Sequence, residues 1–120
     1  MPYYLMSVHG PSERGEFGTY GSQEEMEAAF EATGAFNDRL RAAGYWVFAG
    51  GLDDASQAVV VDGRDDPPIR SIGPYLSGDE AIGGFWVVDT PDFETALQLA
   101  AEGSKACVGT VEVRPFQGLA

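Results

Sequence analysis

Three short segments of this chain are apolar at every position: YYLM at 3–6, YWVF at 45–48 and FWVV at 85–88. A β-strand sends alternate side chains to opposite faces, so a strand with one wet face alternates apolar and polar residues. These three do not alternate. If they pair, both faces of their sheet need cover. Helices supply one cover. A second copy of the chain is the simplest second cover, because most soluble oligomers are symmetric homodimers.

The residues between these segments carry helical signals. SQEE at 22–25 reads as a capping box, with Ser22 capping free amides and Glu25 reaching back. Apolar positions then recur at Met26, Ala29, Phe30, Thr33, Phe36, Leu40 and Ala43, one stripe at helical period. Gly34 inside that helix costs about 1 kcal/mol relative to alanine, which implies close packing against a sheet. Gly44 ends the helix. Strands are expected over 3–8, 45–52, 58–63, 83–89 and 109–116, with a short return strand at 69–72 and a proline turn or bulge at 65–68. A second helix is expected with Thr90 as its cap and Pro91 in its first turn. It buries Phe93, Ala96, Leu97 and Ala100, and Gly103 closes it. In the last strand, Val111 and Val113 share one face.

The order strand, helix, two or more strands, helix, strand is the split βαβ pattern. The expectation is an α+β, ferredoxin-like sandwich. The 120 residues suit a single domain over 1–120.

Charge narrows the partners. Nineteen acids against seven bases leave a formal charge of −12. Phosphate backbones and anionic membrane surfaces repel such a chain, so nucleic acid and membrane are not expected partners. No apolar run approaches the ~18 residues of a membrane span, and the N-terminus lacks a signal-peptide pattern. Cys107 is the one cysteine, which rules out an internal disulfide and fits a reducing compartment. A soluble cytoplasmic protein is expected. The acid pairs 53–54, 65–66 and 79–80 have no second ligand at ligand spacing, so no metal is expected. No cofactor motif is present.

The residues that bear chemistry are few. His9 is the one histidine, and imidazole is the side chain that trades protons near neutrality. It stands just past the first strand, as a general base or as a turn residue before Gly10-Pro11. Asp79 and Glu80 sit in a glycine-flanked loop, where carboxylates orient a ligand, take a proton, or simply solvate a turn. Ser77 in the same loop donates a hydrogen bond or caps the turn. Trp46, Tyr75 and Trp86 are large aromatics on or beside the central strands. They either wall a pocket or belong to the core or a dimer interface.

The segment 71–90 adds a resemblance. Gly73, Pro74 and Tyr75 lead through an acidic loop to Gly83, Gly84 and Phe85, which open a strand. With YYLM, RAAGYWVFAGGL, DFETALQLAAE and VEVRPF, this resembles the YCII-related family over nearly the whole chain, in particular its subgroup marked by an Asp-Gly-Pro-Phe motif. The motif's aspartate is Ile72 here and its phenylalanine is Tyr75. Some relatives carry a histidine on the first helix as half of an acid–base dyad; this helix has none, so that dyad does not carry over. Glu80 matches an acid common at its place in the family. The resemblance implies a dimeric α/β barrel of ferredoxin-like domains. It also implies two functional classes. One is a small-molecule enzyme using acid–base chemistry on an aromatic or carbonyl substrate. The other is a non-catalytic binding or regulatory module, linked for instance to transcription through a protein partner. In the first class, His9 and Glu80 exchange protons while Tyr75, Ser77, Asp79, Trp46 and Trp86 contact the ligand.

Overall fold

The computed structural model describes residues 2–118. In chain order the elements are β1 (Tyr3–Pro11), α1 (Gln23–Ala42), β2 (Trp46–Gly51), a 3-10 turn (Ala55–Gln57), β3 (Val59–Asp62), β4 (Ile69–Ile72), β5 (Glu80–Asp89), α2 (Phe93–Cys107) and β6 (Thr110–Pro115). The main sheet runs β2-β5-β1-β6, every pair antiparallel. β3 and β4 form a separate two-stranded sheet inserted between β2 and β5. With that hairpin set aside, the four main strands are ordered fourth, first, third, second. That is the ferredoxin-like arrangement of an α+β fold.

Both helices lie on one face of the sheet, over a core of Tyr4, Met6, Phe36, Leu40, Trp86, Val88, Ala96 and Ala100. The rings of Phe36 and Trp86 meet edge to face, centroids 5.2 Å apart. The start of α1 follows its sequence signal. Ser22 Oγ accepts from the Glu25 amide at 3.1 Å, and the Glu25 carboxylate accepts from the Gly21 amide at 3.0 Å. At the other end, the Tyr45 amide donates to the Leu40 carbonyl and the Gly44 amide to the Arg41 carbonyl, which caps the last turn.

Several details differ from the sequence expectation. Phe93 and Leu97, expected to be buried by α2, are 43% and 38% exposed; the helix buries Ala96, Ala100 and Gly103 instead, because its contact with the sheet is a narrow small-residue stripe. Asp92 rather than Thr90 caps α2: its carboxylate accepts from the Thr95 amide at 2.8 Å, while Thr90 is buried and donates to the Asp92 carbonyl. Gly103 does not close α2, which continues to Cys107 and ends on Val108 in the left-handed region. Gly34 does not pack against the sheet; a Cβ there would meet open space. The close approach belongs to Gly103 instead. A Cβ on it would lie 3.1 Å from Phe36 and 3.2 Å from Trp86, so the missing side chain lets α2 settle on the central pair of rings. Finally, β5 begins at Glu80 rather than Gly83, so the acidic loop is shorter than its composition suggests.

Among the described residues, no helix lies on the second face of the sheet. Leu5 pairs with Val87, Ser7 with Phe85, and Phe48 with Val87 across the strands, which puts these residues on the side away from Met6 and Trp86. Phe48 is 58% exposed, and its ring lies 5.8 Å from that of Phe85.

Candidate functional site

A cavity of about 490 Å³ lies beside this core, bordered by α1, the ends of β1, β2 and β5, and the segment 12–20. Volumes of roughly 300–1,000 Å³ are usual for small-molecule sites.

Helix α1 contributes two adjacent stripes. Ala29, Phe36 and Leu40 enter the core and are buried. Met26, Phe30, Thr33 and Asn37, spaced four, three and four residues apart, line the cavity. Phe30 was expected in the core from periodicity alone, yet it is 61% exposed and borders the cavity. Thr33 and Asn37 mark the second stripe in the sequence, because polar residues beside a core stripe signal a wall that is not all packing.

The segment between β1 and α1 crosses the cavity. Ser12, Arg14, Phe17, Gly18, Thr19 and Tyr20 all line it. Three anchors hold this strap. The Ser12 amide and hydroxyl donate to the Asp79 and Gly78 carbonyls at 2.8 and 2.9 Å. Arg14 Nη2 donates to the Leu52 carbonyl at 2.9 Å. The Tyr20 hydroxyl donates to the Cys107 carbonyl at 2.7 Å, and burial, with a smaller contribution from Cys107, raises its pKa, so it stays a donor at neutral pH. The ring of Tyr20 also meets that of Phe30 edge to face. By sequence alone, residues 10–21 read as a polar, glycine-rich loop. The arginine and two aromatics among its glycines were the available signal.

The expected site residues divide. His9, Trp46 and Trp86 line the cavity. His9 Nε2 lies 2.9 Å from Ser7 Oγ, next to a register shift between Val8 and His9. Trp86 Nε1 donates to Asn37 Oδ1 at 2.8 Å. The Arg41 guanidinium stacks 4.0 Å from the centre of the Trp46 ring. Tyr75, Ser77, Asp79 and Glu80 do not line the cavity. Tyr75 is 83% exposed in the link after β4. Glu80 pairs with Pro11 and His9 with Ile82, so His9 and Glu80 share one strand end as diagonal neighbours, a relation that typically spans about 7–8 Å. The loop expected to form the site thus buttresses the strap from outside, because Ser12 is tied to its backbone.

Cys107 also borders the cavity. Burial pushes its thiol pKa up, which keeps it protonated rather than a nucleophilic thiolate. Among the described residues, no three His, Cys, Asp or Glu side chains gather as metal ligands would. No helix among them is long and apolar enough to cross a membrane.

An α+β sandwich of ferredoxin-like topology, with a strapped cavity between its first helix and its sheet, is the class these observations define. The profile of the YCII-related domain matches residues 1–117, and the chain belongs to that family. No curated protein matches the chain.

Proposed function

We propose that this YCII-related protein binds a small organic molecule in the cavity under the 12–20 strap. One observation carries the proposal. Both tryptophans of the chain, together with Phe30 and Tyr20, wall a space of ligand size that also holds His9. Aromatic walls with a few placed polar groups are the usual make-up of small-molecule sites. His9 is the imidazole on that wall, while Glu80, its diagonal neighbour at the same strand end, stands outside the cavity. An acid–base step on an aromatic or carbonyl compound would therefore run through His9; the cavity supports binding with or without that step.

The working unit in this proposal is a homodimer, since Leu5, Phe48, Phe85 and Val87 otherwise leave one sheet face uncovered. Nucleic acid is not a proposed partner, because a charge of −12 opposes phosphate binding.

Intrinsic fluorescence tests the proposal directly, since no other tryptophan dilutes the signal. Titration with a panel of small aromatic acids, amides and ketones is expected to give saturable shifts for at least one class. His9→Ala is expected to weaken that binding while circular dichroism stays unchanged. A panel that leaves the emission flat, or a His9→Ala variant that binds equally well, counts against the site.

A further inference from the structure

The cavity is free of acid in a chain crowded with it. Of the 19 carboxylate residues, none lines the space. Of the few cationic residues, Arg14 does, and His9 joins it. We propose that the ligand is a small organic anion, a carboxylate on an apolar body, with Arg14 holding the charged end at the mouth. The inference rests on the cavity being a ligand site and adds the chemical class of its occupant.

The placement of Arg14 supports this. Its guanidinium lies over Gly83, where a Cβ would stand 3.7 Å from Nη2. It is fixed there by one bond to the Leu52 carbonyl. A guanidinium has five N–H donors in a planar fork that matches a carboxylate, so one bond to a carbonyl leaves most of that fork uncommitted. The nearby acid that feels Arg14 is Asp54, whose carboxylate is already engaged by the Ser56 amide at 2.9 Å. No Arg14 ion pair occurs among the described residues, although Arg41 and Arg64 each have one. The apolar body would rest on Trp46, Trp86 and Phe30, with Thr33 and Asn37 as neutral polar neighbours. A cationic ligand would meet an arginine and no carboxylate. The acidic outer surface does not decide the matter, because charges beyond about 8 Å are largely screened at physiological salt.

The test uses three ligands of one shape: 3-phenylpropionate, 3-phenylpropanamide and 3-phenylpropylamine. Tryptophan emission of the full chain reads occupancy by each. The carboxylate is expected to bind at least about tenfold more tightly than the amide, since bonds to charged groups are the stronger ones. Arg14→Gln is expected to bring that ratio close to one, and Arg14→Lys to keep part of it. Should Arg14→Gln fail to fold, the wild-type ratio still has to fall as salt rises. Equal binding of carboxylate and amide, or preference for the amine, overturns the anion assignment and leaves the cavity a ligand site. No response to any of the three overturns both.

Discussion

Trp86 donates its indole N–H to Asn37 Oδ1 at 2.8 Å, joining the central strand β5 to helix α1 at the cavity wall. Trp86 is only 4% exposed, so this donor has little access to solvent. Asn37→Leu removes the acceptor and leaves a buried N–H unpaired. The expected cost is about 1–3 kcal/mol, read as a lower denaturation midpoint. In a Trp86→Phe background the donor is gone, and the same Asn37→Leu change is expected to cost far less. A double-mutant cycle with no coupling would show that the bond contributes nothing.

The two helix glycines respond oppositely to alanine. Gly34→Ala adds a methyl into open space and removes a flexible residue from α1, so it is expected to stabilise by up to about 1 kcal/mol. Gly103→Ala gains the same helix propensity but presses on Phe36 and Trp86 from 3.1 and 3.2 Å. Overpacking of this kind typically costs about 1–3 kcal/mol, which outweighs the gain. Thermal melts of the two variants should move in opposite directions.

Asp92 links the start of α2 to pH. Its carboxyl is held below the ordinary carboxylate pKa by hydrogen bonds from the Thr95 side chain and amide. A depressed folded pKa stabilises the fold above the ordinary carboxylate pKa, and the contribution is lost as pH falls through the folded value. Asp92→Ala is therefore expected to be less stable than wild type at neutral pH, with a gap that narrows in acid. Urea midpoints of both proteins from neutral pH down through the carboxylate range check this; a constant gap refutes the assignment.

Phe48 tests the uncovered sheet face. In a monomer it is a 58% exposed side chain, and Phe48→Glu would change stability by roughly 0.5 kcal/mol or less. In the proposed dimer it lies in a face burying on the order of 1,200–2,000 Å² or more. Light scattering on a sizing column is expected to give a dimer mass for wild type and a monomer mass for Phe48→Glu. A wild-type monomer at micromolar concentration would leave Leu5, Phe85 and Val87 without a cover.

Local signals in the chain accounted for most of the fold. Ser22 and Glu25 mark the start of α1, Gly44 its end, and the strand at 69–72 is legible as a short return after the proline turn at 65–68. These features depend on neighbours within a few residues, so their chemistry is visible in one dimension. The same short range explains the errors. Thr90 and Asp92 are both good caps, and only the turn that buries Thr90 selects Asp92. Gly103 looked like a stop because the two rings that require it, Phe36 and Trp86, are distant in sequence.

The candidate site divides along the same line. His9, Trp46 and Trp86 stand out in the sequence because a lone histidine falls just past the first strand and the two tryptophans fall on central strands. Which of them meet was decided by antiparallel pairing of β1 and β2 with β5, and by the bond that turns Trp86 toward Asn37. The strap carrying Arg14 and Tyr20 could not be found from spacing, since its anchors at Leu52 and Cys107 are 38 and 87 residues away. The absence of acids from the cavity is likewise a property of no segment. It arises because the fold keeps its carboxylates off the cavity wall, most of them turned outward where water solvates them, and ties one arginine to the Leu52 carbonyl at that wall.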